Sequence, residues 1–505
     1  MMRQERQATD RQGRQDLTRG LWHPGPGDAQ VRDVEAEATT NDDIAAYIRR
    51  NHRTVPESLQ TQLRMRRKWE HGKQRLRDRC RLAPEDREAW QLERVRTLVD
   101  TAYATVPFYR ALYESVGFEP GGIVTWDDFR QLPVVNKKMM VDAEVGPELV
   151  RSAGRRTVHS SRTSGSSGLN LTIYQDNASI DHRSLLHLRH CEVGLRSPLE
   201  PDDWRYGVYF TADRFTSLVG AYPFVTVSQD CPVPLLVRHV AEIHPRLMAA
   251  FPSYLQRLAD EQVALDALGV EVVYTNSERS SREERVKYSE IFRVPVLDEY
   301  SSEEMSLLAH ECPERQYHIV EDSAYLEVAE PDQQGFGRML GTSLGNFFMP
   351  FIRYDQGDIV RLGQADEACG CGSRFRVIEA FRGREDEFLR DGPDRIVPSD
   401  AVLGLCDRTL VLAESNVRQY QIVQSSPDRI ELRMQLSDPV ARDTHNPVVA
   451  EFVRELPALF SRVRVAVDLV YVDDFDQFDT FASGKRRLIY VTGDWAGQVG
   501  RTTHE

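Results

Sequence analysis

Five short segments, set in a fixed order between Arg162 and Lys485, constrain this chain more than its bulk composition does. They are Arg162-Thr163-Ser164-Gly165-Ser166-Ser167-Gly168, Tyr300-Ser301-Ser302-Glu303, Arg353-Tyr354-Asp355-Gln356-Gly357-Asp358, Gly383-Arg384-Glu385-Asp386 and Gly484-Lys485. The first offers backbone N–H groups and hydroxyls in conformations that glycine permits, which suits it to holding phosphate oxygens. It lacks the Gly-Lys-Ser/Thr ending of a Walker-type loop. The residues after it, Leu169-Asn170-Leu171-Thr172-Ile173-Tyr174, alternate like a strand, so the loop is expected to join two strands rather than open a helix. For Ser302 the bland local reading is a helix start, with Ser302 as N-cap and Glu303 and Glu304 in the first turn.

Lysine is scarce. Of 64 basic residues only six are lysines: Lys68, Lys73, Lys137, Lys138, Lys287 and Lys485. A lysine at a motif position therefore carries weight, and Lys485 follows Gly484 on an expected tight turn.

At 505 residues the chain is long enough for more than one core. Its net charge of -14 argues against a nucleic-acid backbone as partner. No apolar run approaches the roughly 18 residues that span a bilayer, so no membrane partner is expected. Met1-Met2-Arg3-Gln4-Glu5-Arg6 lacks the apolar core of a signal peptide, and seven scattered cysteines form no disulfide framework. A reducing cytoplasm is the expected location. The sequence leaves a homodimer open.

Residues 1–60 are polar and read as an extension. A helical stretch is expected from Leu59 to Ala104, broken near Pro84. From 155 to 380, short β-branched runs alternate with helical stretches, as in α/β layering; examples are Val270–Tyr274 and Val294–Leu297, with a crossover helix Ser281–Phe292 between them. After Asp386 the pattern becomes a smaller α+β unit, with strands expected at 420–423, 429–434 and 463–467.

In this order and at these separations the motifs resemble the adenylate-forming (ANL) superfamily, in its phenylacetate–CoA ligase and CapK-like branch, over roughly residues 95–490. The resemblance implies an α/β fold with an N-terminal adenylation domain over 61–385 and a C-terminal mobile lid over 386–505. It implies that ATP activates a carboxylic acid, aryl or acyl, as an acyl-adenylate, which a thiol such as coenzyme A then takes up. An amine acceptor, or a non-carboxylate nucleophile such as nitrite, is the alternative.

Site roles follow from the same resemblance. The loop Thr163, Ser164, Gly165, Ser166, Ser167 and Gly168 would hold phosphates, although the lysine commonly found after it is missing. Ser277 and Glu278 would border the adenine, Tyr300 would stack on it, and Ser301 and Ser302 would face the phosphates. Glu303 would hold Mg²⁺, for which a carboxylate is a suitable hard ligand. Asp358 would accept from both ribose hydroxyls, since a carboxylate offers two oxygens. Arg384 would reach the ribose-phosphate, Asp386 would be the hinge, and Lys485 would bind the carboxylate and α-phosphate. Tyr206, Tyr209, Phe210, Phe251 and Tyr254 are placed in the acid's pocket, though a core would also contain them.

Cys312, His318, Cys369 and Cys371 make three thiols and one imidazole, the closed set that a structural zinc takes. His310 competes as a ligand.

Overall fold

The computed structural model describes residues 59–154, 157–163, 171–209, 214–363, 369–384, 388–392, 395–411, 416–437, 447–473, 477–479 and 488–492. Two helices lead, α1 (Leu59–Arg79) and α2 (Pro84–Thr105). The break between them falls where Pro84 predicts it, because proline cannot continue a helix yet suits the first turn of a new one. After β1 (Val135–Asn136), a hairpin of β2 (Val158–Arg162) and β3 (Thr172–Asp176) runs straight into α3 (Asn177–Leu195). Asp176 caps that helix, accepting from the Ser179 N–H.

The middle of the chain alternates: β4 (Arg205–Tyr209), β5 (Arg214–Leu218), β6 (Ala221–Ser228), α4 (Val233–Ile243), β7 (Leu247–Ala250), α5 (Pro252–Asp260), β8 (Val272–Thr275), α6 (Arg282–Phe292) and β9 (Val296–Ser302). Ser281 begins α6 through a reciprocal capping box with Glu284. Six antiparallel strands follow: β10 (Ser306–Glu311), β11 (Tyr317–Ile319), β12 (Ala324–Ala329), β13 (Gly337–Ser343), β14 (Tyr354–Gly363) and β15 (Val377–Arg384).

These strands make one mixed sheet, ordered β12-β13-β14-β15-β11-β10-β9-β8-β7-β4-β6-β5, with β1 beside β14. Strands β6, β4, β7, β8 and β9 are parallel, and β7 and β8 are buried throughout because helices cover both faces. One face packs Tyr206, Leu236, Tyr254, Leu258 and Phe292, and the other packs Trp69, Leu186, Tyr222 and Tyr274 from beneath α1 and α3. The antiparallel half packs Val95, Leu98, Tyr109, Phe129 and Tyr354 around α2.

Beyond β15, the strands β16 (Phe388–Arg390) and β17 (Ile396–Pro398) pair with each other. Helices α7 (Ser399–Thr409) and α8 (Pro447–Glu455) cover a sheet ordered β20 (Ala466–Tyr471), β19 (Arg429–Leu436), β18 (Val417–Ser426), β21 (Ile489–Val491). This part has its own core, including Leu389, Val402, Ile422, Leu432 and Phe452. Strand β20 starts three residues later than the 463–467 expected from pattern. The amides of Ser461, Arg462 and Val463 all donate to the buried carboxylate of Asp391, so that stretch wraps an anion and joins no ladder.

Charges sew α1 onto α3. Arg64 and Lys68 both reach Asp181, at 2.8 and 2.7 Å, and Arg77 makes a two-pronged pair with Glu192. Deeper, Arg189 grips Asp322 with two hydrogen bonds of 2.6 and 2.7 Å, both side chains buried. Burial works to raise the Asp322 carboxyl, but the Arg189 guanidinium holds it below its ordinary value. The pair therefore stabilises above the unfolded carboxylate pKa and weakens as pH falls through the depressed one. Asp322→Ala, which leaves the buried Arg189 without a carboxylate and with only the Leu76 carbonyl to accept from it, is expected to remove about 3–5 kcal/mol at neutral pH. Denaturant unfolding checks this; a loss under 1 kcal/mol would contradict it.

Candidate active site

A cleft of about 2330 Å³ is lined by Thr163, Ser277, Glu278, Tyr300, Ser301, Ser302, Glu303, Asp358 and Arg384, so the described motif residues share one space. Ser164–Gly168, Phe210, Asp386 and Lys485 lie outside the described residues. The phosphate-loop candidate is bracketed as the sequence predicts. Arg162 pairs with Thr172, the Thr163 N–H donates to the Leu171 carbonyl at 3.0 Å, and the Leu171 N–H donates to Thr163 Oγ1 at 3.0 Å.

The helix-start reading for Ser302 is overturned. Ser302 ends β9 and pairs with Ser306 across a hairpin, and its Oγ accepts from the Met305 N–H. Glu303 stands in that turn, exposed to the cleft. Its neighbour Glu304 is buried, with Lys137 at 3.3 Å and the Tyr354 hydroxyl donating at 3.1 Å. The turn thus divides two adjacent carboxylates into one engaged and one facing open space.

Tyr300, Gln356, Asp358 and Arg384 form a connected set. The Tyr300 hydroxyl donates to Asp358 Oδ2 at 2.5 Å, and Gln356 Nε2 donates to both that hydroxyl and Asp358 Oδ2, at 2.6 and 2.8 Å. Asp358 faces Arg384 across the β14–β15 ladder, with Arg384 Nη1 3.6 Å from its Oδ1 and Nη2 donating to the Gln356 carbonyl. Burial and the Asp358 carboxylate push the Tyr300 phenol well above its ordinary pKa, so it remains a donor. Phe381 packs its ring against Tyr300 at 5.0 Å.

Ser277 sits in the left-handed region at φ 66°, and Glu278 accepts from the Ser253 N–H at the start of α5. Tyr209 and Phe251 line the cleft, edge to face at 5.8 Å. Tyr206 and Tyr254 do not. Both are fully buried core rings whose hydroxyls are satisfied internally, Tyr206 by His239 Nδ1 at 2.8 Å and Tyr254 by the Cys231 carbonyl at 2.7 Å. Their expected place in the acid's pocket is corrected: Tyr206 leaves β4 toward α4, on the opposite face of the strand from the cleft-lining Arg205 and Tyr209. Lys137, Glu299, Arg183 and Arg205 line the cleft without having been anticipated. Only Lys137 had a signal, as one of six lysines.

No protein-family profile matches the sequence. Its relatives include the phenylacetate-coenzyme A ligase of Thermus thermophilus, 27% identical over 406 residues covering 74% of this chain and 87% of that one. The Escherichia coli phenylacetate-coenzyme A ligase is 23% identical over 390 residues, 71% of this chain and 84% of that one. Among solved structures, 2-hydroxyisobutyryl-CoA ligase in a postadenylation state shares the fold, with TM-score 0.65 at 19% identity over 83% of this chain and 91% of that one. The chain is thus similar in sequence to phenylacetate-coenzyme A ligases and shares the fold of an adenylate-forming CoA ligase.

In this adenylate-forming fold, glycine is needed where β15 reaches the C-terminal part. Gly383 adopts φ 101°, and an added Cβ would stand 1.9 Å from Ser399 Oγ at the start of α7. Gly383→Ala is expected to destabilise by at least the roughly 1–2 kcal/mol of left-handed strain and to weaken ATP binding by displacing Arg384. Denaturant unfolding and titration calorimetry read the two effects. Parental values in both would show that the close approach is unimportant.

Proposed function

We infer that the chain is an AMP-forming acid–thiol ligase, which activates a carboxylic acid with ATP and passes the acyl group to coenzyme A. The observation that carries this is the meeting of Tyr300 and the exposed Glu303, Asp358, and Arg384 in one cleft, from three segments distant in sequence. In the first half-reaction a carboxylate oxygen bonds to the α-phosphorus of ATP and pyrophosphate leaves. Asp358 and Arg384 hold the ribose and its phosphate, and Tyr300 bounds the base. Glu303, whose neighbour is already engaged, is the residue fitted to hold a magnesium; when bound, such an ion would offset charge on the phosphate oxygens. Lys485 supplies an ammonium to the carboxylate and α-phosphate. In the second half-reaction the 386–505 part turns about Asp386, the thiol sulfur bonds to the acyl carbon, the thiol proton is lost and AMP leaves.

ATP–pyrophosphate exchange over a panel of aryl and alkyl acids tests the first half. AMP release with coenzyme A, an amine or nitrite tests the second. Exchange with acids but no gain from coenzyme A would assign a different acceptor. Lys485→Ala is expected to lower exchange by about 10²–10³ at an unchanged melting temperature. It should still transfer acyl groups from supplied acyl-adenylate. Lys485→Arg should rescue poorly, since a planar guanidinium cannot take the place of a point charge. Near-parental exchange in the alanine variant would remove Lys485 from the mechanism.

The Cys/His set fits a structural zinc. The four ligand atoms lie within 4.8 Å of one another. Cys312 Sγ and Cys369 Sγ are 3.8 Å apart, about the edge of a tetrahedron with ~2.3 Å Zn–S bonds. His318 Nε2 is 3.4 Å from Cys371 Sγ, and its Nδ1 is 3.0 Å from the Phe375 carbonyl, the outer partner a metal-bound imidazole takes. His310 is not part of this set. Zinc here would tie the β10–β11 turn to the loop between β14 and β15. Elemental analysis is expected to give one zinc per chain, and Cys371→Ser should lower both zinc content and melting temperature. Metal-free protein of full stability would refute the assignment.

A further inference from the structure

Side chains alternate along β9, so Tyr300 and Glu299 leave it on opposite faces. Tyr300 goes to Asp358. Glu299 goes under α3, where its Oε2 lies 3.5 Å from His190 Nε2 and 3.9 Å from His187 Nδ1. Its side chain is only 12% exposed, and what exposure it has opens into the cleft. Among the described residues no lysine or arginine forms an ion pair with it. Burial keeps His190 neutral and pushes the Glu299 carboxyl up to about 7, against a Ser301 hydrogen bond that lowers it. A carboxyl group in so dry a place, hydrogen-bonded to Ser301 but joined in no ion pair with a lysine or arginine among the described residues, keeps acceptor capacity that a ligand could engage.

The surrounding half-cleft combines two characters. Tyr209, Phe224 and Phe251 make an aromatic wall, while Glu299, His187 and the exposed Arg183 make a polar end. Arg205 adds positive charge nearby; its guanidinium packs over Phe224 at 5.0 Å and donates to the Tyr222 carbonyl. A bare hydrocarbon would cover Glu299 without satisfying it. An ammonium would meet Glu299 but stand beside two guanidinium groups. A hydroxyl donates and accepts through a single oxygen, so it suits the carboxyl and the arginine together.

We propose that this half of the cleft binds the carboxylic acid and selects one bearing a hydroxyl group, which donates to Glu299 and accepts from Arg183. The proposal rests on the ligase reading, and it assigns Glu299 as a specificity-determining residue for it.

The test uses matched acids: phenylacetate and 4-hydroxyphenylacetate, butyrate and 3- and 4-hydroxybutyrate, with 4-aminobutyrate as the cationic comparison. Exchange is measured for the parent, Glu299→Leu and Glu299→Gln, and thermal shifts are recorded with each acid in the absence of ATP. In at least one family the parent should favour the hydroxylated acid by about 100-fold or more in kcat/KM, as sites built around a substrate hydroxyl do. Glu299→Leu should bring that ratio below about tenfold by losing the hydroxylated acid, and Glu299→Gln, which keeps an acceptor oxygen, should fall between. An ATP-induced thermal shift equal to the parent's would show that the leucine variant retains its fold. Should that variant fail to fold, the parent's own ratios and the glutamine variant still decide. Exchange that ignores the hydroxyl, that favours 4-aminobutyrate, or that keeps its preference in Glu299→Leu overturns the proposal and leaves the ligase reading standing. Absence of exchange with every acid counts against the ligase reading; the ATP-free shifts then judge Glu299 by themselves, and no hydroxyl-dependent shift rejects it too.

Discussion

The antiparallel pairing of β14 with β15 sets Asp358 opposite Arg384, and the rest of the site is arranged around that pair. An aspartate 9% exposed is unfavourable unless its oxygens are engaged, and here Tyr300, Gln356 and Arg384 engage both. The same ladder demands unusual backbone beside each member. Gly357 and Gly383, both at positive φ, let the two strands end their pairing with side chains turned into the cleft. Electrostatics and backbone geometry thus meet at one rung.

The sheet supplies this rung by joining two kinds of strand. Its parallel half, buried on both faces, presents the ends of β8 and β9, with Asn276, Ser277 and Tyr300. Its antiparallel half can end in hairpins and a long loop, which is where Glu303 and the Cys/His set are found. Ties across the seam are polar: Lys137 with Glu304, Arg189 with Asp322, and Arg285 with Glu311. Buried pairs of this kind fix register more than they add stability, since their desolvation offsets much of their attraction.

The C-terminal part is joined to the rest lightly. Arg279 reaches Asp407 at 3.4 Å, Arg418 pairs with Asp260, and Ser399 Oγ donates to the Arg382 carbonyl. Its hydrophobic cluster, among the described residues, is made of its own side chains. That suits a part proposed to turn between two half-reactions.

Much of this was legible in the residues. The break at Pro84, the crossover helix opening at Ser281 and the strand-to-strand loop after Arg162 follow from local chemistry that does not depend on distant contacts, while ligand count alone marked Cys312, His318, Cys369 and Cys371, which the fold brings together from two segments over fifty residues apart. Proline, capping serines and alternation act within a few residues of themselves. What the chain could not disclose alone was direction. Tyr206 and Tyr209, both aromatic and three apart, part ways because β4 has a core face and a cleft face. Glu303 and Glu304 part ways because a hairpin turn buries one against Lys137. The fate of Val463 was decided by Asp391, more than seventy residues away, and the isolation of Glu299 by a helix that ends a hundred residues before it. Sequence determined which chemical groups the protein owns and the local elements that carry them. Only tertiary structure decided which groups face water and which partners they meet, because burial and pairing are properties of neighbours that the chain brings from afar.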